Sequence, residues 1–143
     1  IPADYLRWAY NDADLYLCTS MGEGFGLPIV EAQACGTPVA TPLFSASAAV
    51  TKAGVMFSPG CRWMHTPGTE QFIVDADVMA EHVNAEMVRD YPETAATISA
   101  AVAEYEIDNV GPMLNNALLK AAGNITEESP NGHQDQPEIV IAD

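Results

Sequence analysis

The first 57 residues alternate between short apolar stretches bounded by turn residues and segments whose apolar positions recur at helical spacing. Proline and glycine stand near the predicted helix boundaries, where they favour helix starts and stops. The pattern predicts the end of a helix at Tyr5–Tyr10, helices at Leu27–Cys35 and Ser45–Lys52, and strands at Asp14–Cys18, Pro38–Thr41 and Val55–Phe57. Strands that alternate with helices through short connections form parallel sheets. We therefore expect an α/β fold, a partial Rossmann-like parallel sheet with flanking helices.

After Ser58 the pattern is less regular. Pro59-Gly60 and Pro67-Gly68 bracket a segment that we expect to be a surface loop, containing Arg62, Trp63, Met64 and His65. Periodic apolar positions predict three more helices, at Val78–Arg89 with Asp77 as its cap, at Glu93–Tyr105 and at Pro112–Ala122. The last of these would turn Met113, Leu114, Leu118 and Leu119 inward.

The carboxy-terminal residues are rich in turn formers and are predicted to be a tail, 124–143, in which only Glu138–Ala142 could pair as a strand. Residues 1–123 would then form one domain. Ile1 stands where an initiator Met would be, and a three-stranded parallel sheet is about half of a doubly wound one. Both observations lead us to expect a fragment of a longer domain.

The composition narrows the function classes. The chain of 143 residues has 20 Asp and Glu against 5 Lys and Arg, a net charge of −15. Nucleic acid and anionic membranes are disfavoured as partners, because both are bound through basic side chains. No apolar run approaches the roughly 20 residues of a transmembrane segment. Acidity is concentrated after residue 69, so an anionic ligand is expected at the near-neutral first half.

Three cysteines without C-x-x-C spacing, Cys18, Cys35 and Cys61, favour a reduced, cytoplasmic location. The three histidines are scattered and lie at no ligand spacing from the cysteines, so we expect neither a metal site nor a resident cofactor.

The glycine-rich loop Met21–Gly26 is the segment with recognisable chemistry. It leaves the carboxyl end of a predicted strand and enters a helix, the place where α/β proteins bind ligands. Gly22, Gly24 and Gly26 remove Cβ atoms, so backbone N–H groups can approach an anion closely. The first turn of the following helix would add N–H groups and a positive dipole end. The loop is therefore predicted to bind phosphate without a lysine.

Two carboxylates bracket this loop. Glu31 lies one turn into the helix after Leu27, and Glu23 lies in the loop itself. We expect them on the order of 10 Å apart, from the helical rise and a folded loop. Carboxylates accept paired hydroxyl hydrogen bonds, and a diphosphate with a sugar at each end is of about this length. The pattern predicts a nucleotide-sugar site, with Glu31 on the ribose and Glu23 on the donor sugar.

The segment Glu23-Gly-Phe-Gly-Leu-Pro-Ile-Val-Glu31 resembles the E-x7-E motif of retaining GT-B glycosyltransferases, the large family 4 group. The similarity begins at Ala13-Asp-Leu-Tyr-Leu-Cys-Thr-Ser20, which is similar to the family's A-D-x-x-x-x-P-S strand. It continues through Gly54-Val-Met-Phe-Ser-Pro59, which is similar to a G-x-L-x-x-P strand. The stretch Pro42–Ala49 departs from the Gly-Gly-x-x-Glu-like segment of many members.

The resemblance implies roles at matching positions. Glu23 would be the catalytic carboxylate that contacts donor-sugar hydroxyls, and Glu31 would hold the ribose. The rest of the donor-binding segment would face the sugar and the β-phosphate with its backbone. This segment consists of Gly22, Gly24, Phe25, Gly26 and Leu27. It further implies retaining transfer through an oxocarbenium-like state, with the leaving diphosphate helping to deprotonate the acceptor and with no metal or side-chain nucleophile.

The same resemblance implies that the chain is the later part of a GT-B carboxy-terminal domain, which takes a nucleotide-diphosphate sugar as its donor substrate. A missing amino-terminal GT-B domain or partner chain would supply the acceptor site, and the family's basic diphosphate clamp would lie upstream. The chain alone is therefore expected to be inactive, in the cytoplasm or peripheral to a membrane through the missing half.

Two alternatives stay open. A nucleotide-sugar 2-epimerase or a phosphorylase on the same fold would use the same donor motif, because fold does not fix the reaction. A non-catalytic interaction module would use its acidic helices as a contact face. A dinucleotide fingerprint fits less well, since Gly26 comes one position early for G-x-G-x-x-G.

Overall fold

In a computed structural model, the described residues are 2–66, 69–87 and 94–121. They fall into two compact units, Ile1–Glu106 and Ile107–Asp143. The elements of the first unit, in chain order, are α1 (Ala3–Asn11), β1 (Tyr16–Leu17), α2 (Leu27–Ala34), β2 (Val39–Pro42), α3 (Ser45–Val50), β3 (Gly54–Phe57), β4 (Cys61–Thr66), β5 (Thr69–Ile73), α4 (Ala76–Met87), α5 (Ala95–Ala100) and a 3₁₀ turn (Ala103–Tyr105).

The first sheet is parallel and has the strand order β1-β2-β3. The central strand β2 is buried at all four positions, as expected of a parallel strand covered on both faces. The connections β1–α2–β2 and β2–α3–β3 alternate strand and helix. The predicted α/β class with a Rossmann-like parallel sheet and flanking helices is confirmed.

The core lies between this sheet and α2, and its fully buried members include Ile29, Val39 and Val50. Gln33 is also fully buried, and its amide bonds to backbone groups of α2, of the last residue of α3 and of the segment between α3 and β3. Such pairing is what makes a buried polar side chain tolerable. These contacts fix the end of α3 and the start of β3 against α2.

The expected loop after Pro59-Gly60 is wrong, because the chain forms strands there. Strands β4 and β5 pair antiparallel, with Arg62 opposite Phe72. Glycine at position 60 allows the chain before β4 to lie close to the end of β5, since a Cβ at this position would lie 2.4 Å from the Ile73 carbonyl oxygen. Pro59-Gly60 therefore immediately precedes a strand. The second pair, Pro67-Gly68, lies outside the described residues.

Helix α4 begins close to its predicted start, but its cap differs. The Asp75 carboxylate accepts the N–H groups of Asp77 and Val78 at 3.0 and 3.1 Å, so Asp75 and not Asp77 caps the helix. In α5, Thr94 caps the amino end, and Ile98 and the following Val102 are buried.

The second unit is described through one helix, α6 (Ile107–Ala121), which begins five residues before its predicted start and contains Pro112. Met113, Leu114 and Leu118 are exposed rather than inward. The predicted tail 124–143 lies outside the described residues. No helix within residues 2–66, 69–87 and 94–121 is long and apolar enough to cross a bilayer.

Candidate functional site

The loop Met21–Gly26 connects β1 to α2 at the carboxyl end of the parallel sheet. The Cys18 N–H donates to the Ala40 carbonyl at 2.9 Å, so β1 is held to β2 up to the point where the chain turns toward the loop. Side chains and backbone groups in this loop are therefore presented at the sheet edge where ligands of α/β proteins bind.

Gly26 begins α2 in a left-handed conformation, with φ of +88°. A Cβ here would lie 3.1 Å from Ile29 Cδ1 and 3.4 Å from Val50 Cγ2. Glycine at this position is explained by the start of the helix and its packing, without a ligand.

The first turn of α2 offers fewer N–H donors than the sequence predicted. Pro28 has no N–H group, and the Ile29 N–H already donates to the Gly26 carbonyl at 3.0 Å. The loop supplies donors instead. Of the N–H groups in this loop, that of Glu23 donates to Ser45, whereas those of Met21, Gly22, Gly24, Phe25 and Gly26 donate to no acceptor among the described residues, and neither does that of Leu27.

Gly24 differs from Gly26 in its surroundings. A Cβ at Gly24 would meet no heavy atom within 4 Å, whereas one at Gly22 would touch the Phe44 ring at 3.7 Å. The space beside Gly24 is open, so a ligand could come close to the backbone at this point.

Glu31 lies on the exposed face of α2 and contacts α1. The Tyr10 hydroxyl donates to Glu31 Oε2 at 3.1 Å. Burial of the phenol and this hydrogen bond to a carboxylate raise the pKa of Tyr10 to about 12. Tyr10 therefore holds the carboxylate from one side as a neutral donor over the whole physiological range.

Glu23 is half-buried, and its backbone is bonded to Ser45 at the start of α3. Ser45 Oγ accepts the Glu23 N–H at 2.8 Å and donates to the Glu23 carbonyl at 2.9 Å. Ser45 has a φ of +55°, a left-handed conformation that costs a residue with a Cβ about 1–2 kcal/mol.

Phe25 is 45% exposed, so it does not belong to the core. Its ring packs edge-on against Tyr105 with the centroids 5.5 Å apart. Lys52 Nζ lies 5.9 Å from the Tyr105 centroid and 3.2 Å from Glu104 Oε1. The ion pair with Glu104 raises the pKa of Lys52, and Lys52 lowers the pKa of Glu104.

The β4–β5 hairpin contacts the start of the loop. The Phe72 N–H donates to the Met21 carbonyl at 3.0 Å, and the Phe72 ring packs against Phe44 with centroids 4.4 Å apart. The hairpin therefore anchors Met21, next to the open backbone of the glycines.

Of the predicted site residues, Leu27 is 61% exposed at the start of α2, and neither Glu23 nor Glu31 is buried. Sequence reasoning missed the side chains that hold them, Tyr10 and Ser45. Neither had a signal in the sequence, because both act across more than 20 residues of chain. Within the described part of the chain, no three His, Cys, Asp or Glu side chains converge as metal ligands.

The two carboxylates can accept hydrogen bonds from hydroxyl groups, and the loop N–H groups can donate to an anion. No curated protein matches the sequence. Residues 1–60, which contain the whole parallel sheet and the loop, match the family described as glycosyl transferases group 1, and this match supports a glycosyltransferase domain of the GT-B type.

Proposed function

We propose that this chain binds the nucleotide-diphosphate sugar donor of a retaining glycosyltransferase of the family 4 kind. The observation that carries the proposal is the open space beside Gly24, in a loop whose Gly24 and Phe25 N–H groups have no described acceptor. The carboxylates of Glu23 and Glu31, which precede and follow these residues in the sequence, are not buried. In this assignment the N–H groups bind the diphosphate, Glu31 binds the ribose and Glu23 binds the donor sugar.

Backbone N–H groups suit a diphosphate because they carry fixed partial positive charge and cost no side-chain entropy on binding. Each charge-assisted hydrogen bond of this kind contributes roughly 1.5–3 kcal/mol. The Lys52 ammonium is already paired with Glu104, so we expect weak binding that depends on the amides.

The Tyr10 hydrogen bond supports Glu31 as the ribose ligand. Each carboxylate oxygen has two lone pairs, so Oε2 can accept both Tyr10 and one ribose hydroxyl while Oε1 accepts the other. A carboxylate held at one oxygen has less freedom to lose when the ribose binds.

Glu23 is the only ionisable side chain of the loop Met21–Gly26. We assign it to the donor-sugar hydroxyls rather than to attack on the anomeric carbon. Under this assignment the diphosphate leaves with its electron pair and takes the acceptor proton, and the acceptor oxygen bonds to the same sugar face. The acceptor site and an active enzyme are expected to need a further domain or chain.

NMR titration of the ¹⁵N-labelled chain with UDP and with GDP tests the proposal. The titration is then repeated with UDP-glucose and with GDP-mannose. We expect amide shifts at residues 22–31. Glu31→Gln should weaken both the nucleotide and the nucleotide sugar, whereas Glu23→Gln should weaken only the nucleotide sugar.

Glu81→Gln, an exposed acid of α4, is the matched control and should change neither affinity. Shifts confined to residues outside 22–31, or equal affinities for wild type and Glu31→Gln, would contradict the proposed site.

A further inference from the structure

Ser45 fastens the backbone of Glu23 on both sides of its Cα atom. The Ser45 hydroxyl accepts from the Glu23 N–H at 2.8 Å and donates to the Glu23 carbonyl at 2.9 Å. Because these groups belong to the two peptide planes that flank the Cα, the pair of bonds fixes the direction of the Cα–Cβ bond. The Glu23 carboxylate makes no hydrogen bond or ion pair with the described residues, so the direction of the Cα–Cβ bond is the part of its orientation that the protein fixes.

The backbone of Ser45 is strained, and the two bonds to Glu23 offset that strain. Its φ of +55° lies in the left-handed region, after an extended Phe44 with φ of −157°. Glycine would adopt this conformation without steric cost but has no hydroxyl. A non-glycine residue in this region is a pointer to a functional constraint.

Two other anchors hold the ends of the same loop. The Phe72 N–H donates to the Met21 carbonyl, and the Gly26 carbonyl accepts the Ile29 N–H in the first turn of α2. Ser45 adds an anchor at the acidic residue between them. The loop ends would stay in place without Ser45, so its loss should act mainly on Glu23.

We propose that Ser45 is a positioning residue that directs the Glu23 carboxylate at the hydroxyl groups of the donor sugar. This inference rests on the proposed function. Ser45 thereby makes the site prefer a nucleotide sugar over the free nucleoside diphosphate, although it does not itself contact the ligand.

The test compares two dissociation constants in the full chain, measured by NMR titration with UDP and UDP-glucose, or with GDP and GDP-mannose if wild type prefers guanine. Ser45→Ala should weaken binding of the nucleotide sugar about fivefold, the effect of one to two neutral hydrogen bonds, and leave the nucleoside diphosphate within twofold. Ser58→Ala removes an exposed hydroxyl whose bond is to the neighbouring Pro59 carbonyl and not to Glu23, and it should leave both constants unchanged.

Ser45→Gly separates this role from simple stabilisation. Glycine relieves the positive φ, so this variant should melt no lower than Ser45→Ala and still lose the sugar preference. Combined with Glu23→Gln, either Ser45 variant should cause no further loss, because Ser45 acts through that carboxylate.

The outcomes separate the two proposals. If wild type binds neither probe, the proposed function fails and this inference falls with it. If wild type binds both and Ser45→Gly keeps the sugar preference, or loses both ligands equally, the positioning role is overturned and the donor site stands.

Discussion

Tyr10 of α1 donates its phenolic hydrogen to Oε2 of Glu31 on α2 at 3.1 Å. The backbone of Tyr10, near the carboxyl end of α1, is also hydrogen-bonded, since Thr37 Oγ1 donates to the Tyr10 carbonyl at 2.6 Å. The first helix thus contacts the carboxylate that we propose to bind the ribose.

Removal of this hydroxyl should weaken nucleotide binding. In Tyr10→Phe the Glu31 carboxylate loses its donor and must be ordered by the ligand, so we expect UDP or GDP affinity to fall about two- to tenfold. Titration calorimetry or NMR measures the change. Tyr5→Phe removes a phenolic hydroxyl from the exposed part of the same helix and should have no effect; an equal loss there would contradict the role of Tyr10.

Tyr10 also predicts how stability changes at alkaline pH. Burial first, and then the hydrogen bond to Glu31, raise the pKa of Tyr10 to about 12, against 10 for an ordinary phenol. The folded state therefore binds this proton more tightly than the unfolded state. The resulting stabilisation is complete below pH 10 and is lost as pH rises from about 10 to about 12.

We expect the loss to be on the order of 1 kcal/mol, because the phenol is partly exposed and water screens the interaction. Urea unfolding at pH 8 to 11 measures it. Burial also raises the pKa of Tyr16, so wild type is compared with Tyr10→Phe, which should lose less stability over this range. Parallel curves for the two proteins would contradict the prediction.

The strand and helix order of the first 57 residues could be predicted because its signals are local. In the sequence, Pro28 indicates the start of α2 and Gly36 indicates its end. The structure has this helix at Leu27–Ala34. A strand that is buried on both faces, such as β2, is an apolar run between turn residues.

The hairpin could not be predicted in the same way, because its pairing joins Arg62 to Phe72, 10 positions later in the sequence, and depends on the absence of a side chain at Gly60. The candidate site shows the same limit. Motif spacing made Glu23 and Glu31 candidates, whereas the bond from Ser45 to Glu23 joins residues 22 positions apart and depends on the tertiary structure.

Gln33 is expected to be the most sensitive polar residue of the core. Its Nε2 donates to the carbonyls of Ile29 and Val50, both at 3.0 Å. Its Oε1 accepts the N–H groups of Lys52 and Ala53 at 2.7 and 2.9 Å. Gln33→Leu keeps a similar volume but leaves both of these N–H groups without an acceptor, so we expect a loss of about 3 kcal/mol in the free energy of unfolding.

Urea denaturation measures this loss. Asn84→Leu makes the corresponding amide-to-leucine change on the exposed face of α4 and should alter the free energy of unfolding by less than about 0.5 kcal/mol. Equal stabilities for Gln33→Leu and wild type would mean that the buried amide does not hold α3 and β3 against α2.

Alanine at two glycines should separate folding from binding. A Cβ at Gly54, where φ is +127°, would lie 1.9 Å from the Val39 carbonyl oxygen, so Gly54→Ala must push β3 away from β2. We expect a loss of more than about 3 kcal/mol, measured by thermal and urea unfolding. A Cβ at Gly24 would meet nothing within 4 Å, and Gly24→Ala should fold like wild type.

Gly24→Ala should nevertheless weaken binding of UDP or GDP about tenfold, because its methyl group would fill the open space beside the loop amides that we assign to the diphosphate. The two variants thus have opposite profiles, one unstable and one stable but defective in binding. If Gly24→Ala binds the nucleotide as tightly as wild type, the diphosphate does not approach this backbone, and the anion must be held by other groups. If Gly54→Ala is as stable as wild type, the close packing of β3 on β2 is not needed for folding.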